Sequence, residues 1–182
     1  GMYNQNQLMM KGDCTGPISS TFVLKDPTVD FAVLECARGG ILKSGLAFQN
    51  CEVAVVTNVA ADHIGLGGIN SVEAMAKAVV PETVFPHGYA VLNADDDLVY
   101  KMKKDLKCNI ALFSMDENNP RIKEHCNENG LACVYENGYV TIMKGNWKIR
   151  VLPARDIPLT YEAKAVHNIN NCLPAVLSAY LF

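Results

Sequence analysis

The sequence lacks several features that would assign it to a class of protein at once. Its 16 Lys and Arg residues do not outnumber its 19 Asp and Glu residues, and the formal charge of −3 provides no net attraction to polyanions. We therefore expect no nucleic acid partner. No run approaches the roughly 18 apolar residues of a membrane span, and the first residues lack the charged and then apolar order of a signal peptide. The sequence predicts a soluble, cytoplasmic protein with no membrane partner.

Two functional motifs are also missing. The seven cysteines include no C-x-x-C pair, so the pattern favours neither a zinc ribbon nor a disulfide framework, and it fits a reducing cytoplasm. No G-x-x-x-x-G-K-[ST] motif occurs, so the chain alone does not supply the glycine-rich loop that usually holds nucleotide phosphates. If the protein handles ATP, its usual phosphate-binding element is missing.

Apolar runs and helical patterns alternate along most of the 182 residues, a length that predicts one domain with a small appendage. Runs that suit strands buried on both faces of a parallel sheet span 28–36, 53–59, 89–92 and 109–115. Helical spacing occurs at 71–84, which Ser71 can cap and Pro81 should end or kink, and at 95–104 and 120–129. The alternation predicts an α/β fold with a doubly wound, mostly parallel sheet and crossover helices.

The last third of the chain follows a different pattern. Asn137-Gly138 and Gly145-Asn146 separate short alternating segments, and Asn-Gly is the strongest short hairpin signal. We expect a small antiparallel hairpin region near the C-terminal third. Residues 161–182 then return to helical spacing.

Polar residues follow two of the predicted strands at the points where the strands end. Glu35 comes after the first apolar run and His63 after the second. Ligands of parallel sheets bind beyond the carboxyl ends of the strands, so a carboxylate and an imidazole at one edge can share a divalent cation. Glu35 and His63 are therefore our candidate metal ligands. The structural alternative is that Glu35 pairs with Arg38 and that His63 caps a loop through hydrogen bonds.

Other polar motifs have a simple structural explanation beside a functional one. The turn at 12–17 can face an anion with its amides or can serve as an ordinary loop. The acids within 93–97 can be helix caps and first-turn charges as readily as nucleotide contacts. Lys77 can be a solvated lysine, and His167 with Asn168 can be a helix cap or a surface pair.

Five segments, in this order, carry a resemblance to a known family: GDCTGP from residue 12, VDFAVLECARGGILKSGL from 29, CEVAVVTNVAADHIGLGGI from 51, YAVLNADDDL from 89 and AVHNINNCLPAV from 165. Their joint order and spacing resemble the central domain of the Mur ligases, above all the Mur-ligase-like portion of the cyanophycin synthetases. The resemblance implies an ATP-dependent ligase that phosphorylates an acceptor carboxylate and lets an amine attack the acyl phosphate to give an amide. If the resemblance extends to specificity, the substrates are arginine and polyaspartate.

The resemblance also implies roles for the metal-side residues. Glu35 resembles the family's strand-end glutamate that binds Mg²⁺, and His63 resembles the histidine that completes that site. Lys77 matches a catalytic lysine that several members carbamylate, which turns it into an anionic ligand of Mg²⁺. An unmodified lysine would instead repel the cation.

A second set of residues is implied to contact or surround the nucleotide. Asn168 resembles the family asparagine that contacts ATP, and His167 lies beside it in the sequence. Thr15, in the GDCTGP loop, is expected at the cofactor as well. Asn58 and Asp62 are expected near the metal without a role that the motif defines.

Two parts of the family pattern do not occur in these 182 residues. The family's phosphate-binding loop normally precedes GDCTGP, and a C-terminal domain normally follows the HN motif. We therefore expect residues 1–182 to form one Mur-ligase-like central domain, a fragment of a longer ligase that is inactive alone. The sequence does not decide whether the parent protein is a homo-oligomer.

Two other classes of function compete with the ligase interpretation. One is a catalytically inactive binding or scaffold module with the same fold. The other is a hydrolase that uses Cys36 as its nucleophile and His63 as its base, although nothing in the sequence indicates a depressed thiol pKa. A buried structural cysteine is the simpler explanation of Cys36.

Overall fold

The computed structural model of the protein describes residues 1–4, 6–12, 14, 16–37, 44–59 and 80–182. Two short strands, β1 (Met2–Asn4) and β2 (Gln7–Met10), form an antiparallel pair at the start of the chain. Helix α1 (Pro17–Lys25) follows, and Pro17 occupies its first turn, where the missing amide hydrogen costs no helical hydrogen bond. Neither the strand pair nor α1 was among the predicted elements.

Among the described residues, six strands form the main sheet in the order in which they occur along the chain. They are β3 (Cys51–Val56), β4 (Val84–Asn93), β5 (Asn109–Ser114), β6 (Leu131–Glu136), β7 (Tyr139–Lys144) and β8 (Trp147–Pro153). The pairings from β3 to β6 are parallel, and those from β6 to β8 are antiparallel. The predicted α/β class, with a hairpin extension near the C-terminal third, is confirmed.

Helices cover both faces of this sheet. On one face lie α2 (Asp97–Lys101), which a 3₁₀ turn at Met102–Lys104 extends, and α3 (Pro120–Asn127). On the other face lies α4 (Val166–Tyr180). Further 3₁₀ turns span Val80–Thr83, Ala154–Asp156 and Pro158–Thr160. The predicted helices at 95–104 and 120–129 are confirmed, and the helix of the tail begins at Val166 rather than at residue 161.

Each face of the sheet has its own apolar core. Val91 and Phe113 face α4, whereas Leu92 and Leu112 face α2 and α3, and all four side chains are fully buried. Successive side chains of a strand point to opposite faces, so the part of a strand that is covered on both sides is apolar at successive positions. This is why β4 and β5 appear in the sequence as continuous apolar runs.

The β6–β7 hairpin has the predicted tight turn. Asn137 and Gly138 occupy its two central positions with φ of 49° and 86°. Positive φ at both positions is what a type I′ turn requires, and its twist matches that of the strands it joins. The hairpin prediction at Asn137-Gly138 is therefore confirmed.

The strand predicted at 28–36 is wrong. The chain turns after α1, where the Thr28 amide donates to the Asp26 carboxylate at 2.9 Å, and residues 31–37 then pair with no strand in the part of the chain that the structure describes. The Phe31 ring instead contacts the Phe182 ring, with centroids 4.5 Å apart. An apolar run indicates an extended segment, but the partner of its backbone hydrogen bonds lies elsewhere in the chain and leaves no local signal.

The helix predicted at 71–84 is only partly covered by the structure, because residues 71–79 lie outside the described residues. Around Pro81, where the sequence predicted an end or a kink, Val80–Thr83 form a 3₁₀ turn, and Val84, the last residue of the helical pattern, already belongs to β4. Among the described residues, no helix has the length and apolar character needed to cross a membrane.

Candidate functional site

The carboxyl ends of β3, β4 and β5 lie together at one edge of the sheet, here called the carboxyl edge, where ligands of parallel sheets bind. Asn93 is the last residue of β4, and its buried side chain donates from Nδ2 to the Thr57 carbonyl oxygen at 2.7 Å. The Val59 amide donates to Oδ2 of Asp96 at 3.0 Å. The segment after β3 is therefore hydrogen bonded at two points, to the last residue of β4 and to the residues that follow β4.

Asp96 also begins α2. Its Oδ1 accepts hydrogen bonds from the Leu98 and Val99 amides at 2.9 and 3.0 Å, which satisfies two of the amides that no helical carbonyl can reach. The structural explanation of the 93–97 acids as helix caps is confirmed for this residue.

The acids on either side of Asp96 have partners on neighbouring elements. Asp95 accepts a hydrogen bond from the Ser114 hydroxyl at 2.6 Å and another from Asn119 Nδ2 at 2.8 Å. Asp97 pairs with Arg121, and the hydrogen bond and charge of this guanidinium hold the pKa of Asp97 below its ordinary value. These acids tie the end of β4 to β5 and α3, so they are structural residues of the carboxyl edge.

Helix α4 begins at the same edge. The Tyr180 ring, near the end of α4, lies 6.4 Å from the Trp147 ring, and Trp147 pairs with Lys144, which in turn pairs with Leu131 at the amino end of β6. The end of α4 is thus at the amino ends of the parallel strands. Its first residues, including Asn168, are therefore at the carboxyl edge.

The predicted nucleotide-side residues lie near the start of α4. Asn168 Nδ2 donates to the Leu159 carbonyl oxygen at 2.6 Å. This side chain therefore has a structural hydrogen-bond partner, as the structural explanation of Asn168 expects. His167 is exposed. Two residues after Asn168, the Oδ1 atom of Asn170 is buried and has no hydrogen-bond partner among the described residues. This corner of the carboxyl edge therefore has an unused buried acceptor.

The chain enters α4 through a turn that the sequence patterns missed. Tyr161, Glu162 and Ala163 have φ of 49°, 59° and 66°, in the left-handed region that non-glycine residues rarely adopt. The fully buried Thr160 stabilises the turn, because its hydroxyl donates to the Ala154 carbonyl oxygen at 2.6 Å and accepts from the Ala163 amide at 3.2 Å. Without a glycine at 161–163, the sequence carries no signal for this conformation.

Glu35 lies in another part of the described structure. It lines a cleft of about 470 Å³ whose walls come from the β1 end of the chain, Gly12 and Cys14, α1 and the segment 29–35. Its side chain is exposed, and no described residue forms a hydrogen bond or ion pair with its carboxylate. None of the residues that line this cleft comes from the ends of β3, β4 or β5, or from α4. The described residues therefore do not bring Glu35 together with Asn168.

Several predicted site residues lie outside the described residues: Thr15, Arg38, Asp62, His63 and Lys77. The Glu35–His63 metal pair and the alternative Glu35–Arg38 ion pair both stay predictions. Within the described ranges, no group of three or more His, Cys, Asp and Glu side chains is arranged to hold a metal ion.

Cys36 does not have the environment of a nucleophile. Burial raises the pKa of the Cys36 thiol, and the charges of Cys51 and Glu35 raise it further. Nucleophilic cysteines need the opposite shift, because the thiolate is the reactive form. The environment of Cys36 therefore argues against the hydrolase alternative.

Comparison with known proteins adds the family. Residues 12–179 match the Mur ligase middle domain. The chain belongs to this family. The sheet and its carboxyl edge are therefore those of a Mur ligase middle domain.

Among its curated relatives, this Mur ligase middle domain is 54% identical to the cyanophycin synthetase of Geminocystis herdmanii, over 100% of the chain and 21% of the relative. It is 52% identical to the cyanophycin synthetase of a Synechocystis species, over 99% of the chain and 21% of the relative. It is 31% identical to the UDP-N-acetylmuramate--L-alanine ligase of Acetivibrio thermocellus, over 70% of the chain and 25% of the relative. The chain spans about a fifth of the length of the cyanophycin synthetases it matches.

Two described features fit the cation and nucleotide that the family resemblance implies. The exposed Glu35 carboxylate offers the hard oxygen ligands that Mg²⁺ prefers, and it borders a cleft wide enough for a hydrated ion. The unpartnered Oδ1 of Asn170 offers an acceptor at the edge where ligands of parallel sheets bind.

Proposed function

We propose that this Mur ligase middle domain is the central portion of an ATP-dependent ligase that joins an amino acid to a carboxylate through an acyl phosphate. The family match over residues 12–179 supports the proposal most strongly, together with 49–54% identity to cyanophycin synthetases over at least 99% of the chain. The proposed substrates are ATP, arginine as the amine and polyaspartate as the acceptor. We place the reaction in the cytoplasm, and all seven cysteines are free thiols, as a reducing compartment requires.

The metal side of the proposed site consists of Glu35, His63 and Lys77. Bound Mg²⁺ would neutralise charge on the phosphate oxygens during phosphoryl transfer. Glu35 contributes an anionic oxygen ligand, and the neutral imidazole of His63 contributes a nitrogen ligand. Lys77 contributes a further anionic ligand once its amine is carbamylated.

The nucleotide side consists of Asn168, His167 and Thr15. Asn168 and His167 are in the first turn of the 15-residue helix α4, whose amino end carries a positive partial charge at the carboxyl edge. This end of the helix favours the anionic phosphates of ATP over a neutral ligand. The usual glycine-rich loop is missing from the sequence, so we expect the 182-residue chain to show no ligase turnover by itself.

The test of this function is Glu35→Gln in the complete polypeptide that carries these residues, with ATP-dependent amide formation as the measurement. Removal of the anionic ligand should lower kcat by about 100-fold or more, the scale seen when one electrostatic contact to the reacting group is lost. The control is Glu52→Gln, because Glu52 is also exposed and on the same half of the chain, but its partner is His87 at 3.1 Å. Near-normal product formation by Glu35→Gln would contradict the proposal.

A further inference from the structure

Strand β8 forms an edge of the main sheet. It pairs with β7 on one side, and no strand of the described residues pairs with its other side. The outward amide and carbonyl groups of an edge strand can bind the backbone of a further extended polypeptide. Because β8 is antiparallel to β7, and β7 is antiparallel to β6, β8 runs in the same direction as β6 and ends on the side of the carboxyl edge.

One face of β8 carries exposed apolar side chains. Ile149 lies opposite Ile142, which belongs to the core under α4, and opposite residues of an antiparallel pair share a face. Trp147, two residues earlier, is on the same face, and its ring lies 6.4 Å from the Tyr180 ring. Ile149, Trp147 and Tyr180 are 44%, 43% and 51% exposed. Helix α4 therefore leaves this part of the face open.

The other face of β8 carries two cations that share one buried acid. Lys148 and Arg150 both donate to the Glu136 carboxylate, Arg150 from its Nε at 3.4 Å. The Arg150 guanidinium also lies 5.1 Å from the centre of the Tyr139 ring, a contact that helps to fix its orientation. Among the described residues, Nε is the only donor of Arg150 with a hydrogen-bond partner, so its terminal NH₂ groups can receive a carboxylate.

The charge on this face selects among possible partners of β8. Two half-exposed cations share a single carboxylate, which leaves a net positive charge beside the free edge. A second copy of β8 paired antiparallel about Ile149 would place Lys148 opposite Arg150 of the other copy, and like charges directly opposite destabilise a strand pair. An acidic strand has the complementary charge.

We infer that β8 is a docking strand for the acceptor polymer, an extended acidic polypeptide that adds to the free edge of the sheet. The inference rests on the proposed function, in which arginine is joined to the carboxylates of polyaspartate. Unreacted carboxylates of the polymer pair with Arg150 and Lys148. Arginine side chains already added lie with their guanidinium groups on the Trp147 ring and their aliphatic stems on Ile149.

The end of β8 is connected to the nucleotide side of the proposed site. Ala154 directly follows β8, and its carbonyl oxygen accepts from the Thr160 hydroxyl at 2.6 Å. Thr160 stabilises the turn that leads into α4, whose first turn contains Asn168. A polymer on β8 is therefore directed toward the edge at which we propose that ATP binds, and docking raises the local concentration of acceptor there.

The test is a titration of the 182-residue chain with polyaspartate that is partly substituted with arginine. Trp147 is the only tryptophan of the chain, so tryptophan fluorescence reports on the docking face. We expect a saturable change in Trp147 emission and slower hydrogen exchange of the β8 amides that point away from β7. Polylysine is the control polymer, because it has the opposite charge, and it should change neither quantity.

Two variants separate docking from a structural role. Arg150→Lys keeps a positive charge beside Glu136 but removes the paired NH₂ groups, so polymer affinity should fall by about 10-fold at a nearly unchanged Tm. Arg155→Lys is the matched control, because Arg155 follows β8 and pairs with Asp156 at 3.7 Å, and it should bind as the wild type does. Ile149→Thr keeps a β-branched residue in the strand and removes apolar contact, and it should lower affinity by about 3-fold.

The outcomes separate docking on β8 from the function on which it rests. Unchanged Trp147 emission in the wild type overturns the docking role. Binding that Arg150→Lys and Arg155→Lys weaken equally, or that leaves the β8 amides unprotected, overturns it as well. Protection of these amides that grows with protein concentration without polymer would make a second copy the occupant instead. The proposed function fails separately if the complete polypeptide forms no amide between arginine and polyaspartate at saturating acceptor, a measurement that does not require docking on β8.

Discussion

The C-terminal region, residues 80–182, and the N-terminal region, the described residues within 1–37, differ in how they bury apolar side chains. Among the residues that the structure describes, the largest fully buried side chains all lie in the C-terminal region, among them Leu92, Phe113, Ile122 and Leu177. The N-terminal region leaves comparable side chains in solvent, with exposed fractions of 83% for Ile18, 87% for Val33 and 56% for Phe31.

This difference separates stability from the proposed chemistry. Burial of apolar area is the main source of folding free energy, so the C-terminal region should dominate the stability of the chain. Glu35, the proposed metal ligand that the structure describes, is in the N-terminal region. Segments with few buried contacts open more easily than the core does, so the two sides of the proposed site should differ in local stability.

The largest effect on the free energy of unfolding is expected when a phenylalanine is replaced by alanine, once in each region. Phe113→Ala removes a fully buried ring from between the sheet and α4, and we expect it to lower the free energy of unfolding by about 3–5 kcal/mol. Phe31→Ala removes a half-exposed ring that contacts Phe182 edge to face, and we expect a loss of about 1 kcal/mol or less. Urea unfolding of both variants measures the two losses. Equal losses would mean that the N-terminal region is as tightly packed as the C-terminal region.

The same contrast explains what could be predicted from the sequence. In the C-terminal region the signals are local: Asn119 caps α3 through the Arg121 amide at 2.9 Å, Pro120 sits in the first turn, and Asn137-Gly138 makes the hairpin turn. In the N-terminal region the prediction of a strand at 28–36 is wrong. An apolar run does not specify its pairing partner, which is chosen by contacts distant in sequence.

The candidate site shows the same limit. That Asp96 caps a helix followed from its place before α2, because capping depends on the next three residues alone. That its other oxygen accepts from Val59 depends on β3 and β4 being neighbours in the sheet. The turn at 161–163 leaves no signal, since left-handed backbone at Tyr161 and Glu162 is imposed by the contacts of Thr160.

A smaller effect is expected where the C-terminal region meets β3. A Cβ atom at Gly88 would overlap the backbone oxygen of Glu52 on β3, and backbone yields less than a flexible side chain. We expect Gly88→Ala to lower the free energy of unfolding by about 1–3 kcal/mol, the usual cost of overpacking. Gly16→Ala is the comparison: nothing lies within 4 Å of the added atom, and because Gly16 is the N-cap of α1 we expect only the loss of a weak cap, about 1 kcal/mol or less. Thermal unfolding of both variants is the measurement, and equal Tm values would show that β3 is loosely attached to β4.

The smallest effects on the free energy of unfolding are expected when two glutamates, one in each region, are replaced by glutamine. Glu136 is buried, and hydrogen bonds from Lys148 and then Arg150, with their charges, hold the pKa of Glu136 below its ordinary value against the effect of burial. Glu136→Gln should lower the free energy of unfolding at pH 7 by about 1.5 kcal/mol, the low end for bonds to charged groups, because both cations are half-exposed. Glu35→Gln, in the N-terminal region, should change it by less than about 0.5 kcal/mol.

The lowered pKa of Glu136 also predicts how its contribution to the free energy of unfolding changes with pH. A carboxyl whose pKa is lower in the folded state stabilises the protein above its unfolded pKa, about 4.3 for Glu, and loses that contribution as the pH falls through the folded pKa. The difference in free energy of unfolding between wild type and Glu136→Gln should therefore have its full value at pH 7, become smaller below about pH 4.3 and vanish at lower pH. Urea unfolding from pH 7 to pH 2 measures the gap. A gap that persisted or widened in acid would mean that the size of the side chain, rather than its pairing with Lys148 and Arg150, is what Glu136 contributes.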